Sequence, residues 1–104
     1  MSREEVLAWL NAREPAAPAA LAARITALAR EAPSALLRAT LTDTMSALGR
    51  YALDRSLERG ETGDDVALDL LAADAFVTYA FEAAAEESAD VRRAVGELIT
   101  QMAP

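Results

Sequence analysis

Apolar residues recur three and four positions apart along most of this chain, and the recurrence stops where proline or glycine stands. Ser2 and Glu5 fit a capping box, in which hydroxyl and carboxylate take the amides of a first turn. They predict a helix over about 2–13, with Val6, Leu7 and Leu10 on one face and Trp9 beside them. "EPAAP" ends it, because Pro15 and Pro18 lack amide donors and push the preceding residues out of helical geometry. Pro18 suits the first position of a second helix, 18–32, whose Leu21, Ile25, Leu28 and Ala32 keep the spacing of a buried stripe.

Pro33 closes that helix, and Ser34 predicts the cap of a long third one over 34–59. Leu37, Leu41, Thr44, Met45, Leu48 and Ala52 fall along one side of it, with Asp43, Ser46, Arg50 and Asp54 opposite. "RGETGDD" follows, where Gly60 suits a left-handed C-cap and Thr62 with Asp65 resembles a second capping box. A fourth helix is predicted over 63–87, with Asp64, Asp65 and Asp69 favoured by the positive end of its dipole. Its stripe is Val66, Leu70, Ala73, Val77, Ala80 and Ala84. Because Leu71, Phe76, Tyr79 and Phe81 point elsewhere, most of its circumference is apolar between 70 and 85, which marks a helix that is central or shared. Ser88 and Asp90 predict a separate C-terminal helix over 89–102 bearing Val91, Val95, Leu98 and Met102. The alternative is one helix through to 102, since no Gly or Pro intervenes.

These elements predict a single all-α domain over 1–104, a small bundle of four to five helices built around an antiparallel hairpin of the two long ones. Composition agrees: 26 of 104 residues are alanine, only 4 are glycine and 4 proline, and no stretch alternates apolar with polar over strand length.

Missing residue types narrow the chemistry further. Without Cys there is no disulfide, thiolate site or thiol nucleophile, and without His the usual general base and metal ligand are gone. Every basic residue is Arg, so lysine Schiff-base chemistry is excluded too. A formal charge of −7, with arginines scattered among acids, argues against nucleic acid as a partner. "SREEVLAWL" is unlike a secretory leader and no window suits a membrane span, so a cytoplasmic protein without membrane contact is expected.

Asp74, an acid inside "LLAADAFVTYAFEAAAEES", is the conspicuous polar position. Counting outward from the 60–63 turn places it near Leu48 and Gly49, where the missing side chain of Gly49 lets two helices approach, and places Glu82 near Leu41 and Arg38. A buried carboxylate needs a partner, and Arg50, Arg24 or the Thr44 hydroxyl could supply one. Glu82 and Glu86 share a face at a spacing that can hold a hard cation, but no second acidic pair faces them; with Glu87 and Asp90 they read as a solvated acidic end, so neither metal nor cofactor is expected. "DDVALDLLAADAFVTYAFEAAAEE" is similar in texture to an Ala-rich helix of trans-prenyl synthases, but the chain has neither aspartate-rich motif of that family, and no family follows from it.

The function expected is therefore a non-enzymatic acidic interaction module, a homodimer or a binder of another protein. Its interface would be Leu70, Ala73, Phe76, Val77, Ala80 and Phe81 with Trp9, while Asp74, Gly49, Arg38 and Glu82 would be structural polar positions. A carboxylate-based divalent-metal phosphohydrolase using Glu82, Glu86 and Asp74, or a helical pocket for an apolar ligand, are the alternatives.

Overall fold

The computed structural model describes residues 1–59 and 63–103. Among them are four α-helices, one short 3-10 turn and no strand. Helix α1 spans Arg3–Asn11, α2 Ala19–Glu31, α3 Leu41–Arg59 and α4 Asp64–Met102, with the 3-10 turn at Ser34–Leu36. Ser2 caps α1 as its sequence predicts: the hydroxyl accepts the Glu5 amide at 3.1 Å and donates to the Glu5 carboxylate. Arg3 then reaches back to the end of α2, donating to the carbonyls of Ala29 and Ala32 at 2.6 and 2.8 Å. That places a cation on unsatisfied carbonyls at the negative end of a helix dipole.

Two boundaries differ from expectation. The long third helix does not start at Ser34; Leu37 is extended and α3 begins at Leu41. The reason is local: the Thr40 hydroxyl accepts the Asp43 amide, and the Thr44 hydroxyl accepts the Arg38 amide while donating to the Thr40 carbonyl. Threonine side chains thus give the 37–40 backbone partners that a helix would otherwise supply. The predicted break near Ser88 is also corrected, since α4 is one helix of 39 residues. Its Ala- and Glu-rich middle is made of good helix formers, and a lone cap-suited serine does not interrupt such a run. The C-cap expected at Gly60 and the capping box expected at Thr62 lie outside the described residues. Gly63 precedes α4 with φ 146°, a conformation that side-chain-bearing residues rarely adopt.

One core joins all four helices. Val6 and Leu10, Ile25 and Leu28, Met45 and Leu48, and Ala72 and Phe76 are buried together. The packing of α3 on α4 is the most extensive in the fold. Gly49 of α3 lies against Ala73, Phe76 and Val77, while Thr42 reaches Glu87. Helix α4 outruns this body: at a rise of 1.5 Å per residue it is about 58 Å long, and it sets the long axis of a molecule measuring 65 × 28 × 20 Å. A radius of gyration of 16.4 Å, against about 13 Å for a compact chain of this size, reflects the same projection. No described helix is long and apolar enough to cross a membrane.

Candidate functional site

Helix α4 carries two stripes, and they have different fates. The inward stripe runs Asp65, Asp69, Ala72, Phe76, Tyr79, Ala83, Glu86, apolar in the middle and acidic at both ends. At its start Asp69 is 0% exposed and takes a 2.9 Å bond from Arg24 of α2, whose other terminal nitrogen donates to Asp65 at 2.9 Å. Two carboxylates on one guanidinium in a partly dry setting form a charge-assisted clamp between α2 and α4. The buried structural acid of this helix is therefore Asp69, not Asp74. Asp74 sits five residues further on, is exposed, and among the described residues makes no hydrogen bond or ion pair.

At the other end of the stripe α1 is pinned to α4. The Trp9 indole donates to Glu86 at 3.0 Å, Arg13 donates to Glu86 at 3.1 Å, and the Arg13 guanidinium lies 3.6 Å above the Trp9 ring. Tyr79 meets Trp9 edge-on with centroids 6.1 Å apart. The Trp9 hydrogen bond, helped by Arg13 and opposed by desolvation, holds the Glu86 carboxyl below the usual glutamate range. Burial, reinforced by Glu82, pushes the Tyr79 hydroxyl up. Glu82 comes within 3.8 Å of Arg13, too far for a hydrogen bond. Next along, Glu87 accepts from the Thr42 amide at 3.2 Å and the Thr42 hydroxyl at 2.8 Å, capping the first turn of α3 from another helix. Glu86 and Glu87, expected as a solvated acidic end, are instead the last fastenings of the body.

Other expected polar placements shift in the same way. Arg38 is exposed and contributes its backbone, its amide to Thr44 and its carbonyl to the amino terminus, instead of facing Glu82. Gly49 does sit at a close helix approach, but a methyl there would meet Phe76, Ala73 and Val77 at 3.5–3.6 Å, which is ordinary contact. Glycine is tolerated at that crossing and is not demanded by it.

The outward stripe has no such fastenings. Positions 70, 74, 77, 81, 84, 88, 91, 95, 98 and 102 follow one another at unbroken 4, 3 spacing, and all ten are exposed. Eight are apolar; Asp74 and Ser88 are the exceptions. Sustained 4, 3 spacing is the pattern by which one helix presents a continuous seam to another. Of the residues expected at an interface, Leu70, Val77 and Phe81 lie on this seam, with Phe81 75% exposed. Ala73 and Ala80 are half-buried beside it, packed on the core. Phe76 is corrected: at 0% exposure it is sealed inside its own chain and unavailable to a partner. Trp9 is half-buried and engaged with α4. A shallow apolar groove of about 310 Å³ follows the seam, floored by Val77, Ala80, Phe81 and Ala84 and walled by Thr42 and Ser46 of α3.

The seam does not end where the body ends. From Val91 to Met102 every residue is exposed, yet Val91, Val95, Leu98 and Met102 continue it, with Ile99 alongside. From position 90 onward the inward stripe turns polar: Asp90, Arg93, Glu97 and Thr100 replace the core residues. The 4, 3, 4 spacing of this segment is visible in the sequence; its continuity with the stripe of Val77 and Phe81 is the signal that joins the two into one exposed face. What the arrangement offers chemically is apolar contact. Glu82 and Glu86, whose spacing alone would suit a cation, lie on Arg13, and among the described residues no group of three or more acids could hold a metal ion. Compared with protein-family models, with curated proteins and with solved structures, the chain matches none of them.

Proposed function

We propose that this protein is a non-enzymatic, acidic helical interaction module that self-associates through the exposed apolar face of α4. In this reading α3 and α4 form an antiparallel hairpin whose outer edge displays the seam, a geometry supported by the contacts of Thr42 with Glu87 and of Gly49 with Ala73. The observation that carries the reading is the segment 91–102, every residue of which is exposed but which keeps an apolar stripe. These residues extend a helix that the body has already nucleated, and beyond the body they are held by intrahelical bonds alone. Packing of its apolar face on a partner supplies what the body does not. Exposed apolar surface that is continuous over many residues marks association surfaces far more often than it marks bare solvent contact.

Sedimentation of the full chain at micromolar concentration tests this. The mass of a dimer is expected, falling to that of a monomer in Leu98→Glu, which should still unfold cooperatively because Leu98 is exposed and outside the core, its melt lowered only by what the dimer contributed. A wild-type chain that sediments as a monomer, or a Leu98→Glu variant that sediments like wild type, overturns the reading.

A further inference from the structure

Resting on the self-association reading above, we infer that the second copy docks antiparallel, about a twofold axis crossing α4 near residues 89 and 90, so that the tail of each chain lies in the groove of the other. Three observations lead there. The first is length. A contact confined to the two tails, 91–102 on each, would run only about 17 Å, whereas an overlap from Val77 to Met102 runs about 38 Å. As a flat strip one helix wide the longer overlap covers on the order of 400 Å² on each chain. Interdigitation and the groove walls then bring the total to roughly 1,000 Å², where specific interfaces begin. Only an overlap that includes the groove reaches that size.

The second observation is Asp74. A parallel pair in register would set Asp74 against its own copy on an apolar seam, two like charges sharing a dry contact with no base to separate them. In the antiparallel overlap the helix end at Met102 falls opposite Val77, and Asp74 lies beyond it in water. Phe81 then faces the partner's Leu98, and the small Ala84 faces the partner's Val95. The third is charge. The body is acidic and the chain carries −7 overall, but the tail residues Asp90, Arg92, Arg93 and Glu97 balance, so the tail approaches an acidic body without net repulsion. The two exposed apolar surfaces, the groove along Val77 and Phe81 and the stripe from Val91 to Met102, complete one another in a closed twofold pair.

The chain has no cysteine, so introduced thiols report geometry directly. Phe81→Cys and Leu98→Cys change exposed side chains and leave the core intact. Mixed under oxidising conditions, the two variants are expected to give a disulfide dimer joining Cys at 81 to Cys at 98. Each variant alone is expected to give none, because like positions stand about 25 Å apart along the axis, far beyond disulfide reach. Self-linked dimers of each single variant would mean a parallel pair and overturn this geometry while leaving self-association intact. A wild-type dimer with no cross-link in the mixture would overturn it as well, and a wild-type monomer would remove both readings. Asp74→Leu gives an independent check: an unchanged dissociation constant is expected, and a tighter dimer would point to the parallel pair.

Discussion

The first two-thirds of α4 and its last third are built from similar residues and do opposite things with them. Between Asp65 and Glu87 the helix has two apolar stripes, one sealed by α1, α2 and α3 and one facing out. Between Asp90 and Met102 the sealed stripe is gone, its positions taken by Asp90, Arg93, Glu97 and Thr100, while the outer one persists. Where the neighbours stop, the residues that would have met them become polar. The outer stripe does not become polar at the same point; it stays apolar and exposed as far as Met102. A helix's apolar content therefore says less than the direction each stripe takes where its support ends.

The sharpest way to break this comparison uses two phenylalanines five residues apart. Phe76→Ala should destabilise the fold by about 3–5 kcal/mol, since a fully buried ring leaves a cavity, whereas Phe81→Ala should change the stability of the monomer by under about 0.5 kcal/mol. Urea unfolding at low protein concentration measures both, and similar losses would mean the two stripes are not distinct. Next come the two aspartates. Asp69→Asn removes one partner of a buried ion pair and should cost about 2–3 kcal/mol, discounted because Arg24 keeps Asp65 and some water. Asp74→Asn should fall within about 0.5 kcal/mol of wild type in the same measurement.

The smallest effect sharpens the boundary between the halves. Glu86 has its folded pKa lowered, so its contribution to stability is present above the ordinary glutamate pKa. It is lost as pH falls through the folded value. Unfolding followed from neutrality into the acid range should show this limb, and Glu86→Gln should flatten it. The effect is modest because the carboxylate is about half-exposed.

Much of this was legible in the residues. Prolines and the capping pair Ser2 and Glu5 mark the first two helices, and a period near 3.6 identifies Leu10, Ile25, Leu28, Met45 and Leu48 as core. What periodicity could not decide was rotation. With apolar residues around most of α4, the spacing of Leu70, Ala73 and Val77 described a stripe as regular as that of Ala72, Phe76 and Ala83, and only the positions of the other helices chose between them. The same ambiguity moved the structural acid from Asp69 to Asp74. Arg24 was recognisable as a partner, but which carboxylate it meets depends on where α2 lies across α4. Ser88 misled for a different reason, since a capping preference is local and weak beside a long run of helix-forming neighbours.

A rod clamped along part of its length is a lever. The fulcrum here is the pair Glu86 and Glu87, tied to Trp9 and Arg13 on one side and to the opening turn of α3 on the other. Sideways load on the free end near Met102 bears on those few bonds before it reaches any apolar packing. Whatever holds the tip thereby also steadies the seating of the amino-terminal helix, roughly 24 Å away along the rod.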